Sequence, residues 1–427
     1  MKFLIASKSG ELSRLAFKLK QEGNEVDYLS FGSKNLRGMI NHVSSMDEAI
    51  KGKPDVAISD SSVDILKFED VIKSYGIGFV GPNDWAKKLE QDDRFAMKAM
   101  DSFGIRCPRS YSFDSLSLAI EFANDQNETF SFHMPSHSYL DFTPRSYPEF
   151  VNHMLHIKKD MGLDGKVLLE EVIYGHDVSV ECWYSNGQPV PMPVAKFETN
   201  RLMHGDSGVR VNGQTSVAFA YPKRQPKLIQ ESLKKIGAFV ERIQYTGCLC
   251  IHGTVKKNKF YGRYFTVSPA STGSFFRLLD EPVGVFFSRI AKGDASPISF
   301  KSGFTYSMKI TLPEKVCQNS FVDGIEPEEI GNIYPQDMYM ENGKILTCGT
   351  NVMDLTGYGE TVFEAERAAV NVYRYLQLPL KQARLGDGGK IALRRMEELG
   401  KNGYEMPPFL PPMVRSIPPL EAVANVG

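Results

Sequence analysis

The sequence contains no apolar run approaching the roughly 18 residues that a membrane-spanning helix requires, so no helical membrane span is expected. It also lacks a surplus of either charge: 50 Lys and Arg face 51 Asp and Glu, for a formal net charge of −1. That balance argues against a protein that neutralises a long track of nucleic-acid phosphates, although a local basic patch stays open. A disulfide framework is missing too. The six cysteines (Cys107, Cys182, Cys248, Cys250, Cys317 and Cys348) form no C-x-x-C pair and read as reduced, mostly buried thiols. The opening MKFLIASKSG has too few apolar residues for a signal peptide. A cytoplasmic protein is the expectation, with no membrane and no extended nucleic-acid surface as partner.

What is present is a globular composition, 42% hydrophobic and 24% charged over 427 residues, long enough for two to four compact units. Lys2–Ala6 reads as a short buried strand. After the turn SKSG comes a helix with Leu12, Leu15, Ala16 and Leu19 on one face, closed by Gly23. VDYLSF, DVAISD and GIGFVGP are further strands, and this strand–helix alternation predicts a parallel sheet covered by helices on both faces. Such sheets bind ligands beyond the carboxyl ends of their strands, which singles out the loops at 7–11, 60–62 and 81–84. Further on, KVLLEEVIYGHDVSVECWY predicts two strands around a turn at 174–177, and GKILTCGTNVMDLTGYGETVFEAERAAVNVYRYL predicts two strands and an amphipathic helix, read as the core of a separate small domain. Residues 401–427 hold six prolines and predict an extended tail.

Four stretches, in order, resemble glycinamide ribonucleotide synthetase (phosphoribosylamine–glycine ligase), a family of the ATP-grasp superfamily. They are KFLIASKSGELSRLAFKL, GPNDWAKKLEQDDRFAMKAMDSFGIRCP, LLEEVIYGHDVSVECWYSNGQPVPMPVAKFETNRLMHGDSG and GKILTCGTNVMDLTGYGETVFEAERAAVNVY. The resemblance implies an α/β ATP-grasp fold: an N-terminal doubly wound parallel-sheet domain (1–105), a linker helix (106–122), a small lid (123–190), a central domain (191–325), a C-terminal α+β domain (326–400) and the tail (401–427). It implies ATP-driven amide formation through an acyl phosphate, joining an amino acid to an amine, nucleotide-linked or otherwise, in purine or modified-nucleotide metabolism. The other implied outcome is a homologue that has lost catalysis and serves as a binding, regulatory or structural subunit.

Residue by residue, the resemblance places adenine against the backbone near Glu171 and Ile173, beside Glu170, and the ribose near Asp177. For these acids the plainer alternative is a set of solvated strand-end charges. Arg94 stands where the family has a phosphate-contacting lysine, or is a surface helix cation. Arg201 and Asp206 fall in the loop beside the reacting carboxylate. Several family features are absent. Where a lysine and a glycine-rich loop should cover the phosphates, the sequence reads FSFHMPSHSYLDFTPRS, with His133 or Met134 in the lysine's place and no glycine from Phe130 through Ser146. Such a backbone approaches phosphates poorly. His133 and His137 alone make no metal site. The Mg²⁺ that accompanies ATP in the family takes carboxylates, yet Thr266 and Ser268 occupy those positions. Ser271–Ser274 is either an anion nest or a plain turn, and Ser59-Asp60-Ser61 replaces the family's Gly-Pro-Glu.

Overall fold

The computed structural model describes residues 1–63, 65–144, 146–205, 207–221, 226–268 and 272–407. The N-terminal strands β1 (Lys2–Ala6), β2 (Glu25–Leu29), β3 (Asn41–Val43), β4 (Val56–Ser59) and β5 (Gly78–Val80) form one parallel sheet in the order β3-β2-β1-β4-β5. Side chains alternate across its faces. Phe3 and Ile5 of β1 join one core with Leu12, Leu15, Ala16 and Leu19 of the first helix, while Leu4 and Ala6 join a second core with Phe68 and Ile72. This is the two-faced sheet that the strand–helix alternation predicts.

The stretch 106–122 differs from the expected linker helix. Residues Ser110–Phe113 form β6, and a helix then runs from Leu116 to Gln126, capped by the Ser115 side chain accepting from the Leu118 amide. Pro108 and the capping serine break the chain into separate elements. With β7 (Phe130–His133) and β8 (Val167–Glu171), β6 makes a three-stranded sheet in the order β6-β8-β7. Helices Leu116–Gln126 and Tyr147–Lys159 cover it over a core of Phe130, Phe132, Phe150, Met154 and Leu169. This is the lid, and it begins earlier than the sequence suggested.

The body is built on a large sheet. Its strands β9 (His176–Ser185), β10 (Gln188–Met203), β11 (Ser207–Ala220), β12 (Gly247–Lys256), β13 (Lys259–Thr266) and β14 (Phe304–Thr311) are followed in the chain by β15 (Gln318–Val322), β16 (Ile333–Pro335), β17 (Met338–Glu341), β18 (Lys344–Cys348) and β19 (Asn351–Gly359). Eight of them pair in the order β13-β12-β9-β10-β11-β14-β19-β16. Two expectations change here. Strand β9 belongs to this sheet rather than to the lid. The strand–turn–strand–helix run 343–376 is no separate core, because β19 pairs antiparallel with β14 from Phe304↔Gly359 onward. Only β15, β18 and β17 form a small sheet of their own.

Alternation along β10 shows how the large sheet divides its two faces. Ala195 and Phe197 enter the main core with Val180, Phe219 and Ile251, under helices Leu233–Arg242 and Val362–Tyr375. Lys196 and Glu198 lie on the opposite face. There Lys196 pairs with Glu181 of β9, the two side chains 2% and 1% exposed, and Glu181 also accepts from Trp183 Nε1 at 3.1 Å. Burial alone would lower the Lys196 pKa, but the adjoining Glu181 carboxylate outweighs it and holds the ammonium above the ordinary lysine range. Removing one partner of such a pair strands a buried charge. Lys196→Met should therefore destabilise the protein by about 3–5 kcal/mol, whereas Lys196→Met with Glu181→Leu should recover most of the loss. Thermal denaturation of both variants checks this, and a double variant as unstable as the single one would refute the pairing argument.

Candidate functional site

The chain passes from lid to body in four residues, 172–175, between β8 and β9. Glycine ends this crossing by necessity, since a Cβ at Gly175 would lie 2.2 Å from the Val255 carbonyl oxygen. The Glu171 amide donates to the Arg109 carbonyl at 2.8 Å, so the outgoing strand is bonded to the incoming one. Between lid and body the crossing leaves a cavity of about 560 Å³. The lid contributes Pro108, Ser131, Thr143, Pro144, Glu170 and Glu171; the crossing contributes Val172, Ile173, Tyr174 and Gly175. The body contributes Asp177, Glu198, Asn200, Arg201, Thr254, Arg263 and Arg395.

Glu170, Glu171, Ile173, Asp177 and Arg201, distant in sequence, thus share one cleft. The two glutamates are not bare strand-end charges. Glu171 sits 3.1 Å from Arg109 Nε, and Glu170 lies 3.7 Å from Arg263. Asp177 accepts from the Thr254 hydroxyl at 2.6 Å. Arg94 is not among the residues lining the cavity; its Nη2 donates to Ser112 Oγ at 3.2 Å, tying the helix Asp93–Ser102 to β6. Asp206 lies outside the described residues. The hairpin next to it is fixed from the C-terminal side. Arg384, buried and paired with Asp387, donates to the Arg201 carbonyl at 2.8 Å, and the Gly205 amide donates to Asp387 at 2.8 Å.

The lid segment expected to close over phosphates folds on itself. Phe132 and Phe142 exchange backbone hydrogen bonds of 2.8 and 2.9 Å. The Met134 amide and the His133 ring both bond to the Asp141 carboxylate, at 3.1 and 3.0 Å. These groups are already committed, and the Phe142 ring lies 4.4 Å from that of His153. His133 therefore has a carboxylate partner of its own.

On β12, His252 lies at the deep end of the cleft, with Glu198, Asn200 and Arg263 lining the recess beside it. Its Nδ1 bonds to Ser179 Oγ at 2.8 Å and its Nε2 to Thr266 Oγ1 at 3.1 Å, and its ring stacks on Tyr264. The position where a magnesium carboxylate was sought therefore carries a hydroxyl already bonded to an imidazole. Ser268 is buried, and its Oγ has no partner among the described residues. Neutral hydroxyls are poor magnesium ligands, so this strand pair does not fit the ion. Among the described residues no three His, Cys, Asp or Glu side chains converge as a metal site.

The N-terminal crevice is filled from within. Asp60 accepts from the hydroxyls of Ser7, Ser9 and Ser62 and from the Ser62 amide, while Ser62 Oγ takes the amides of Lys8 and Ser9 at 2.9 and 3.1 Å. A carboxylate holds the place at which such loops usually receive an anion.

Sequence reasoning missed Arg263 and Arg395. Arg263 carried one signal, a cation in the interior of the aromatic-rich strand β13. Arg395 carried none, because only tertiary packing brings the last helix, Gly388–Lys401, to the cleft.

Burial lowers the His252 pKa below its ordinary value of 6.5, the nearby carboxylates of Glu198 and Glu181 oppose this, and Lys196 and Arg263 reinforce it. The unfolded chain thus takes up that proton first as pH falls. Stability from this group is present above pH 6.5 and declines below it, towards the lower folded value. His252→Gln should flatten the fall of thermal midpoint between about pH 7 and 5; equal slopes in the two proteins would show that His252 contributes nothing to it.

No family model matches the chain. Among curated proteins it is 23% identical over 320 residues to phosphoribosylamine–glycine ligase of Methanocorpusculum labreanum, covering 70% of this chain and 73% of that protein. It is 22% identical over 335 residues to the Lactococcus lactis protein of the same name, covering 74% and 77%. Among solved structures, Thermotoga maritima phosphoribosylamine–glycine ligase superposes with a TM-score of 0.69 at 20% identity, over 90% of this chain and 99% of that one. Campylobacter jejuni biotin carboxylase gives 0.59 at 13% identity, over 95% and 97%. The chain has the ATP-grasp fold, and in both sequence and structure it is similar to the phosphoribosylamine–glycine ligases.

Proposed function

We propose that this protein is an ATP-dependent ligase that joins a carboxylate to an amine, of the phosphoribosylamine–glycine ligase type, with altered groups at the phosphate end of its nucleotide site. The observation that carries this reading is the cavity between lid and body, with the backbone of 172–175 along its wall. Backbone groups near Glu171 and Ile173 would receive adenine, and Asp177 would face the ribose. Arg201 would contact the carboxylate substrate, with Asp206 beside it. ATP, when bound, supplies the phosphoryl group that activates the carboxylate. The protein's part is to orient the partners and to exclude water, which the lid and the aromatic lid segment would do. The amino acid and amine substrates would belong to purine or modified-nucleotide metabolism in the cytoplasm. Among the described residues no helix is long and apolar enough to cross a membrane.

A second reading, a nucleotide-binding or structural subunit without catalysis, is favoured by three particulars: the self-bonded lid segment, the Thr266–His252 contact and the Asp60 cage. Loss of even one preorganised electrostatic contact typically costs about 3–4 kcal/mol of transition-state stabilisation. Two measurements separate the readings. ATP at about 100 times its dissociation constant should stabilise the fold by about 2.7 kcal/mol, seen as a higher thermal midpoint. A screen of amino acids against amines should then find a pair that releases ADP. A thermal shift without ADP release from any pair favours the second reading; no shift and no heat on titration would remove the nucleotide site altogether.

A further inference from the structure

Among the described residues three guanidinium groups line the cleft, those of Arg201, Arg263 and Arg395, and no lysine does. We propose that Arg263 and Arg395 hold the phosphate groups of the bound nucleotide in place of a lysine and a divalent cation, so that nucleotide binding here does not require the metal. This inference rests on the reading of the cleft as a nucleotide site.

The two arginines reach the cavity from separate elements. Arg263 stands on β13, 3.7 Å from Glu170 of β8, and so bridges body and lid. Arg395 comes from the helix Gly388–Lys401 and donates Nη1 to the Glu198 carbonyl at 2.6 Å. A guanidinium is permanently charged and carries five N–H donors in a planar fork. One bond to the protein therefore orients it and leaves donors for phosphate oxygens, which it can grip two at a time. The strand pair that should carry the metal offers Thr266 bonded to His252 and the buried hydroxyl of Ser268 instead of carboxylates.

The charge balance sets the size of the effect. Glu171 is paired with Arg109, which lies outside the cavity lining, so the three cleft arginines face Glu170, Asp177 and Glu198. A phosphate must compete with Glu170 for Arg263, and the gain from each phosphate is correspondingly modest. Tight binding of a bare triphosphate is not expected. A diphosphate held measurably better than the nucleoside is.

The test is calorimetric titration of the full chain with adenosine, ADP and ATP, each in excess Mg²⁺ and in excess chelator. ADP should bind about tenfold tighter than adenosine, and the chelator should change its affinity by no more than about twofold. Arg263→Ala and Arg395→Ala should each lose about threefold for ADP while keeping the affinity for adenosine, which also shows that the variants fold. Arg395→Lys should retain part of the effect. The proposal is overturned if the chelator abolishes ADP binding, if ADP binds no better than adenosine, or if both alanine variants hold ADP as the parent does. Should adenosine itself not bind, the nucleotide reading of the cleft fails, and this inference with it.

Discussion

The Lys196–Glu181 pair sits where two demands on one sheet collide. Strands β9 and β10 must be apolar towards the helices beneath them, while their opposite face carries polar groups. Placing an ammonium and a carboxylate side by side on that face, both out of water, carries a desolvation cost that their mutual contact and the Trp183 bond to Glu181 help to offset. The consequence spreads along the face. The Lys196 charge helps keep the neighbouring His252 neutral, and a neutral imidazole can bond to Thr266 through one nitrogen and to Ser179 through the other. Glu198, two residues along β10 from Lys196, carries its carbonyl to Arg395 and its carboxylate towards His252. The floor of the cleft is one connected polar layer.

That layer is useful only because the lid stands apart from it. Two strands link lid to body, and the return strand crosses in four residues under the steric constraint of Gly175 against the Val255 carbonyl. The Arg263–Glu170 pair spans the gap from the other side. The C-terminal helix closes the third side, with Arg384 and Asp387 pinning the 201–205 turn and Arg395 reaching the floor. Four parts of the chain therefore define the cavity, and the Arg263–Glu170 and Arg395–Glu198 contacts tie three of them together.

How much of this the sequence disclosed follows from the range of the interactions. The parallel N-terminal sheet was legible because period and alternation are local signals, and the buried faces of β1 and the first helix follow them. The four cavity-lining residues at 170, 171, 173 and 177 were legible because they occupy one short stretch. The pairing of β14 with β19 was not, since nothing in either strand states its partner, and so the C-terminal run read as a domain of its own. The start of the lid was missed because the short strand β6 lies directly before the helix that Ser115 caps, inside the stretch 106–122 that the resemblance assigned to one linker helix. Arg395 was illegible for the plainest reason: its role depends on a helix that docks almost two hundred residues away from Glu198.

Three places where the family resemblance would put open groups for an anion or a cation share one physical form: the chain supplies an internal partner, although the buried Ser268 hydroxyl has none among the described residues. The serine hydroxyls and the Lys8 and Ser9 amides at the N-terminal crevice are satisfied by Asp60 and Ser62. The lid amides of Phe132 and Phe142 are satisfied by each other's carbonyls, and that of Met134 by Asp141. The Thr266 hydroxyl is satisfied by His252. A buried group left unpaired costs about 1–3 kcal/mol, and at these three places the matched sets of donors and acceptors spare the fold that cost. The cleft at the crossing escapes this pattern. Its backbone wall stays open to a cavity, and the guanidinium groups of Arg201, Arg263 and Arg395 line that cavity.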